Sequence, residues 1–140
     1  PEVERMNSNA DRQLSGWRIF FLVAALYDMF LGVAFVLLGE QILGAIDLEL
    51  PPHIAYIQLA AVFIFVQGFS YLLPFRDPLG NLGIVRVGVV YKAAYAGLAL
   101  WYLAIGILPS PFFIPWAIID LGFLVGLVLF LRQARRIGPA

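Results

Sequence analysis

Four apolar runs, at about 17–39, 53–73, 84–107 and 112–131, leave almost none of this 140-residue chain free to build a soluble core. Each is long enough to cross a hydrocarbon layer of about 30 Å, which takes about 20 helical residues. In lipid every backbone polar group must find its partner within the protein, so only helices and closed barrels span a membrane. Barrel strands alternate apolar and polar residues over about 10 positions, whereas these runs are continuously apolar. The sequence therefore predicts four transmembrane helices. Composition agrees: 62% of residues are hydrophobic and 13% charged, with a mean hydropathy of +0.90, against about 45–50% apolar and about 25% charged in soluble domains. The first run is too long for a cleaved signal peptide and lacks a small-residue cleavage site, so it is expected to stay in the mature protein.

The ends of the runs are punctuated. Ser15 is placed to cap the first helix, the Pro51-Pro52 pair suits the first turn of the second, "RDPLGN" (76–81) reads as a tight turn, and Ser110-Pro111 opens the fourth. No proline falls mid-membrane, which argues against broken helices. Connections this short favour an antiparallel up-down-up-down four-helix bundle. Arg5, Arg12 and Arg18 precede the first run, Arg76 and Arg86 flank the second loop, and Arg132, Arg135 and Arg136 follow the last run, while the first and third loops hold no Lys or Arg. By the positive-inside rule both termini and the second loop are cytoplasmic. The expected division is a cytoplasmic segment over 1–16, a transmembrane domain over 17–136 and a tail over 137–140.

Several chemistries are excluded. The chain has no cysteine and one histidine, His53, so neither thiol redox chemistry nor a haem held by two axial ligands can be built. No cofactor and no metal are expected: His53 with Asp47 and Glu49 fits no ligand spacing and reads as a solvated loop. The phosphate-cradling, nucleophile-elbow and zinc-protease motifs are missing, and no nucleophile pairs with a base, which makes enzymatic activity the weakest reading. No basic arm points to nucleic acid. The expected partners are the bilayer, together with copies of this chain or a larger membrane complex.

Three charges break the apolar runs: Asp28 in "LYDMF", Lys92 in "VYKAAY" and Asp120 in "AIIDLG". At 1.5 Å of rise per residue, Asp28 lies about 15 Å from the level of Arg18, Lys92 about 9 Å from Arg86 and Asp120 about 18 Å from Arg132. The long lysine stem spans the difference. Gln67, nine residues before Arg76, falls in the same layer, so each helix offers a polar group to one zone. Small residues three and four positions away, Ala24, Ala25 and Gly32 around Asp28, Gly88 and Ala96 around Lys92, allow close helix approach. An ion pair between the first and third helices is therefore expected. An isolated charge at the bilayer centre costs roughly 3 kcal/mol on insertion scales, so a lipid-facing arrangement is implausible.

Three readings of these charges compete: a fixed polar core that sets helix register; a site that relays a proton or binds a small solute; and Lys92 simply reaching the membrane surface along its stem. Two acids against one base favour the second, because a dry bundle tolerates the excess only by keeping a proton on one carboxyl or by admitting a cation or water. Tyr27, Tyr91 and Tyr95 stand close enough in sequence to add hydroxyls to such a network. A shift of 64 positions lays Tyr27-Asp28 on Tyr91-Lys92 and Pro51 on Pro115, a faint repeat that would make Asp28 and Lys92 pseudo-symmetric partners. Trp17, Trp101 and Trp116 read as an interfacial aromatic belt. Gly122 and Gly126 form a G-x-x-x-G, a packing or dimer face.

The stretches "LYDMFLGVAF", "PPHIAYIQLAAVFI", "RDP", "GVVYKAAYAGLALWY" and "PWAIIDLGFLVGLVLF" resemble a group of small uncharacterised bacterial four-helix integral membrane proteins, over nearly the whole chain after Arg18. The resemblance implies a multi-pass protein of the bacterial inner membrane and carries no activity with it. The combined expectation is an all-α membrane bundle in which Asp28, Lys92 and Asp120, with Gln67, Tyr27, Tyr91 and Tyr95 around them, bind or relay a proton or small solute. The alternative is an accessory or structural subunit packed against a larger membrane complex, with the charges serving assembly.

Overall fold

A computed structural model describes residues 2–137, with side chains from residue 14 onward. The expected tail beyond Ile137 and the side chains of Arg5 and Arg12 lie outside the described residues. The described residues fold into five helical segments: α1 (Glu2–Ala45), α2 (Ala55–Ser70), α3 (Leu72–Arg76), α4 (Leu82–Ala104) and α5 (Phe113–Ile137). No strand occurs among the described residues. Four spans, Leu14–Ala45, Ala55–Arg76, Leu82–Ala104 and Phe113–Ile137, are long and apolar enough to cross a membrane. Their outward surface agrees, with Phe30, Phe63, Leu37 and Val90 all about 70% exposed, a surface that water would penalise and acyl chains accept. The protein is a multi-pass helical membrane bundle.

The boundaries differ from the sequence expectation in four places. Pro51 and Pro52, expected in the first turn of the second helix, precede it, since α2 starts at Ala55. Ser15 caps nothing, because α1 continues through it; the run 2–14 holds neither proline nor glycine, so nothing local stops the helix. At its other end α1 kinks at Leu38, with φ −124° and ψ 17°, and continues to Ala45. The second span, expected as one helix, is divided at Tyr71 into α2 and α3. Pro74 explains the division: it has no N–H to give the Ser70 carbonyl four residues back, and its ring crowds that carbonyl. The Tyr71 amide turns instead to the Gly68 carbonyl at 3.1 Å.

Other connections follow their local chemistry. Asp77 Oδ1 accepts from the Gly80 amide at 3.0 Å, and Asn81 Nδ2 donates to the Asp77 carbonyl at 2.9 Å, closing the 76–81 turn. Gly106 ends α4 at φ +74°, with the Gly106 and Ile107 amides bonded to the Leu103 and Tyr102 carbonyls, the paired pattern of a glycine-terminated helix. Ser110 Oγ accepts from the Phe112 amide ahead of α5.

α1 packs along α2, α4 packs along α5, and α3 reaches both α1 and α4. Along the first seam Gly68 meets residues 25–29, Gly32 meets Phe65, and Gln58 Nε2 donates to the Val36 carbonyl at 3.0 Å. One end of the bundle is closed by rings. Phe21 and Phe130 meet edge to face at 5.0 Å, Trp17 lies 5.3 Å from Phe130, and Trp17 Nε1 donates to Gln133 Oε1 at 2.9 Å. Trp17, at the start of the first span, thus packs against the rings with its indole N–H satisfied. Gly126 belongs to the same interior seam: a β-carbon there would stand 2.5 Å from the Phe20 ring, while Gly122 meets nothing. Within the chain, then, only Gly126 of the pair is a packing glycine, and Gly122 lies on the exposed side of α5.

Candidate functional site

Above the ring-packed end, three charged side chains converge. α1 contributes Asp28, α4 Lys92 and α5 Asp120, with 1%, 0% and 5% of their surfaces exposed. Lys92 Nζ donates to Asp28 Oδ1 at 2.6 Å and to Asp120 Oδ1 at 2.8 Å. The layer estimated from helical rise is therefore one real cluster, and Lys92 turns inward where surface-seeking was a competing reading. The positions equated by the 64-residue shift, Asp28 and Lys92, are in direct contact.

The surroundings explain how the amine is held. Two of its three N–H donors meet carboxylates, and the rings of Tyr27, Tyr91 and Phe123 stand 5.2, 5.1 and 5.3 Å from Nζ, within the range of cation–π attraction. The tyrosines expected to give hydroxyls thus give ring faces; no tyrosine hydroxyl among the described residues bonds either carboxylate. Asp28 is fixed from behind by Gly68, whose missing β-carbon would lie 2.6 Å from the Met29 nitrogen and 2.8 Å from Asp28 Cβ. Only glycine lets α2 approach that closely.

Gln67 departs from expectation. It bonds neither Lys92 nor a carboxylate; its side chain neighbours the Tyr71 hydroxyl, yet neither Nε2 nor Oη completes a hydrogen bond, and Asp28 Oδ2 is likewise buried without one. Tyr71 is fully enclosed, its hydroxyl pressed against Gly88 one turn from Lys92. Sequence reasoning missed Tyr71; its signal was the four-residue spacing from Gln67, which puts both on one helix face. An unpartnered buried hydroxyl is a net cost of about 1–3 kcal/mol. Tyr71→Phe, which keeps the ring, is expected to leave the thermal midpoint in detergent unchanged or to raise it.

On the side of the charges away from Phe21 and Phe130 lies a cavity of about 170 Å³, bounded by all four spans. Asp28 and Asp120 form its charged part; the rest is aliphatic and aromatic, with Ile57 and Ile64 of α2, Tyr91 and Tyr95 of α4, Phe112 just ahead of α5 and Trp116 of α5. Tyr95 is therefore a wall residue. Trp116, expected in an interfacial belt, lines this space and packs 6.1 Å from the Tyr27 ring. Searches among known protein families, curated proteins and solved structures found no match to this chain.

Proposed function

We propose that this chain is a bacterial inner-membrane protein, up-down-up-down with both termini cytoplasmic, whose Asp28, Lys92 and Asp120 bind or relay a proton or small solute. The orientation rests on the arginine distribution. The antiparallel order is supported by the seam in which residue numbers rise along α1 as they fall along α2, and by Trp17 meeting Gln133. The observation that carries the function is that one ammonium serves two buried carboxylates at the floor of a cavity. When both acids are ionised the cluster is one positive charge short, and low-dielectric surroundings favour filling that deficit.

The test is proton binding. In purified protein in lipid nanodiscs, infrared absorption of a protonated carboxyl is expected to rise and fall reversibly with pH, and to be lost or shifted in Asp28→Asn and Asp120→Asn. A spectrum indifferent to both substitutions in folded protein would refute the proposal. The accessory-subunit reading has its own support, since the cluster ties α1 to α4 and α5. It predicts instead that the substitutions only lower accumulation or release a companion protein, visible by intact mass measurement after gentle purification.

A further inference from the structure

We propose that the cavity binds a small organic cation, an amine on an aromatic or branched apolar body, whose ammonium sits against Asp120 and Asp28. The inference rests on the reading above, because the ligand takes the place there assigned to a proton, and it names the class of solute.

Four observations converge on it. Charge comes first: two carboxylates share one lysine, so a single added positive charge makes the site neutral. Second, both acids line the cavity while Lys92 does not; Asp28, 1% exposed, keeps Oδ2 enclosed without a partner, so its second oxygen has acceptor capacity that nothing in the chain uses. Asp120 is the more open of the two, with 7% of its side chain exposed against 1% for Asp28, so it is the first to meet an entering cation.

Size is the third observation. A cavity of about 170 Å³ compares with the roughly 150 Å³ apolar cavity that accommodates benzene, so one ring with a short aminoalkyl arm fits. Fourth, the walls are aromatic and aliphatic, with Tyr95, Phe112 and Trp116 facing Ile57 and Ile64. Ring faces attract an ammonium and the aliphatic side takes its apolar body. A hard metal ion does not suit this lining: calcium and magnesium need about six oxygen ligands, and no group of three His, Cys, Asp or Glu able to hold a metal occurs among the described residues.

The probe is 2-phenylethylamine, protonated near neutral pH, compared with 2-phenylethanol of nearly the same shape and no charge. Isothermal titration calorimetry on the purified chain in nanodiscs is expected to show saturable one-to-one binding of the amine, about tenfold or more tighter than the alcohol, equivalent to about 1.4 kcal/mol. Binding weakens as pH falls, because protons compete for the carboxylates. Asp120→Asn is expected to lower affinity for the amine about tenfold. Should that variant fail to fold, Trp116→Leu keeps all three charges, and it is expected to weaken the amine several-fold by removing a ring face. Equal affinity for amine and alcohol, indifference to both substitutions, or no binding overturns the proposal. The carboxyl infrared signal separates the two levels. If it titrates and the amine does not bind, the solute class is wrong and the proton reading stands; if neither is seen, both fall.

Discussion

Lys92→Met is expected to destabilise the bundle by about 3–5 kcal/mol, the cost of leaving a buried charge without its partner. The reason is geometric as well as electrostatic. One Nζ, fully enclosed, answers carboxylates from two different helices at 2.6 and 2.8 Å, so truncation leaves two acids without the cation they share. Methionine keeps most of the stem and its packing, which isolates the loss of the charge. Unfolding of the purified variant in mixed micelles, monitored by helicity, checks the magnitude. The triple variant Lys92→Met/Asp28→Asn/Asp120→Asn is expected to recover much of the loss, since removing every member of a buried ionic cluster is far milder than removing one. A triple variant that is stable yet no longer binds 2-phenylethylamine would separate the two roles of the cluster: its charges would be dispensable for folding and needed for binding. A single variant as stable as the wild-type chain would mean that the acids do not depend on Lys92.

Gly68→Ala and Gly32→Ala are expected to cost about 2–3 kcal/mol each, at the upper end for overpacking. The new methyl group would meet backbone atoms that have no room to retreat. At Gly68 these are the Met29 nitrogen at 2.6 Å and the Ala25 oxygen at 2.8 Å; at Gly32 they are the Phe65 nitrogen at 2.7 Å and Cα at 2.8 Å. α2 must then move away from α1, and Asp28, whose Cβ touches the same spot, moves with the seam. Gly68→Ala is therefore expected to disturb the carboxyl infrared signal as well as stability. Gly97→Ala is the control: nothing lies within 4 Å of its added carbon, and alanine is the better helix former, so it is expected to be neutral or slightly stabilising. The same unfolding assay ranks all three, and equal effects at positions 68 and 97 would contradict the close seam.

Much of the site was legible before any coordinates because the relevant signals are local. A charge inside an apolar run is visible in one line of sequence, and a fixed rise per residue turns distance from the nearest arginine into depth. That placed Asp28, Lys92 and Asp120 in one layer, and small neighbours such as Gly32, Gly88 and Ala96 pointed them inward. What failed was rotation about the helix axis. Spans facing lipid are apolar on every side, so the stripe that orients a helix in a soluble protein is faint. Hence nothing in the sequence shows that Trp116 faces the interior cavity, that Gly126 packs on Phe20 while Gly122 meets nothing within the chain, or that Tyr71 is enclosed beside Gly88.

Sequence alone determined that this protein spans a membrane four times with helices and carries two acids and one base at a common depth, because hydropathy, length and rise are properties of consecutive residues. Tertiary structure alone decided that one lysine bridges both acids, that tyrosine ring faces rather than hydroxyls surround it, and that a cavity opens beside the carboxylates while rings close the opposite side. Those depend on which faces of α1, α2, α4 and α5 meet. That choice was made by close packing at Gly32, Gly68 and Gly126 and by the break that Pro74 imposes before Arg76.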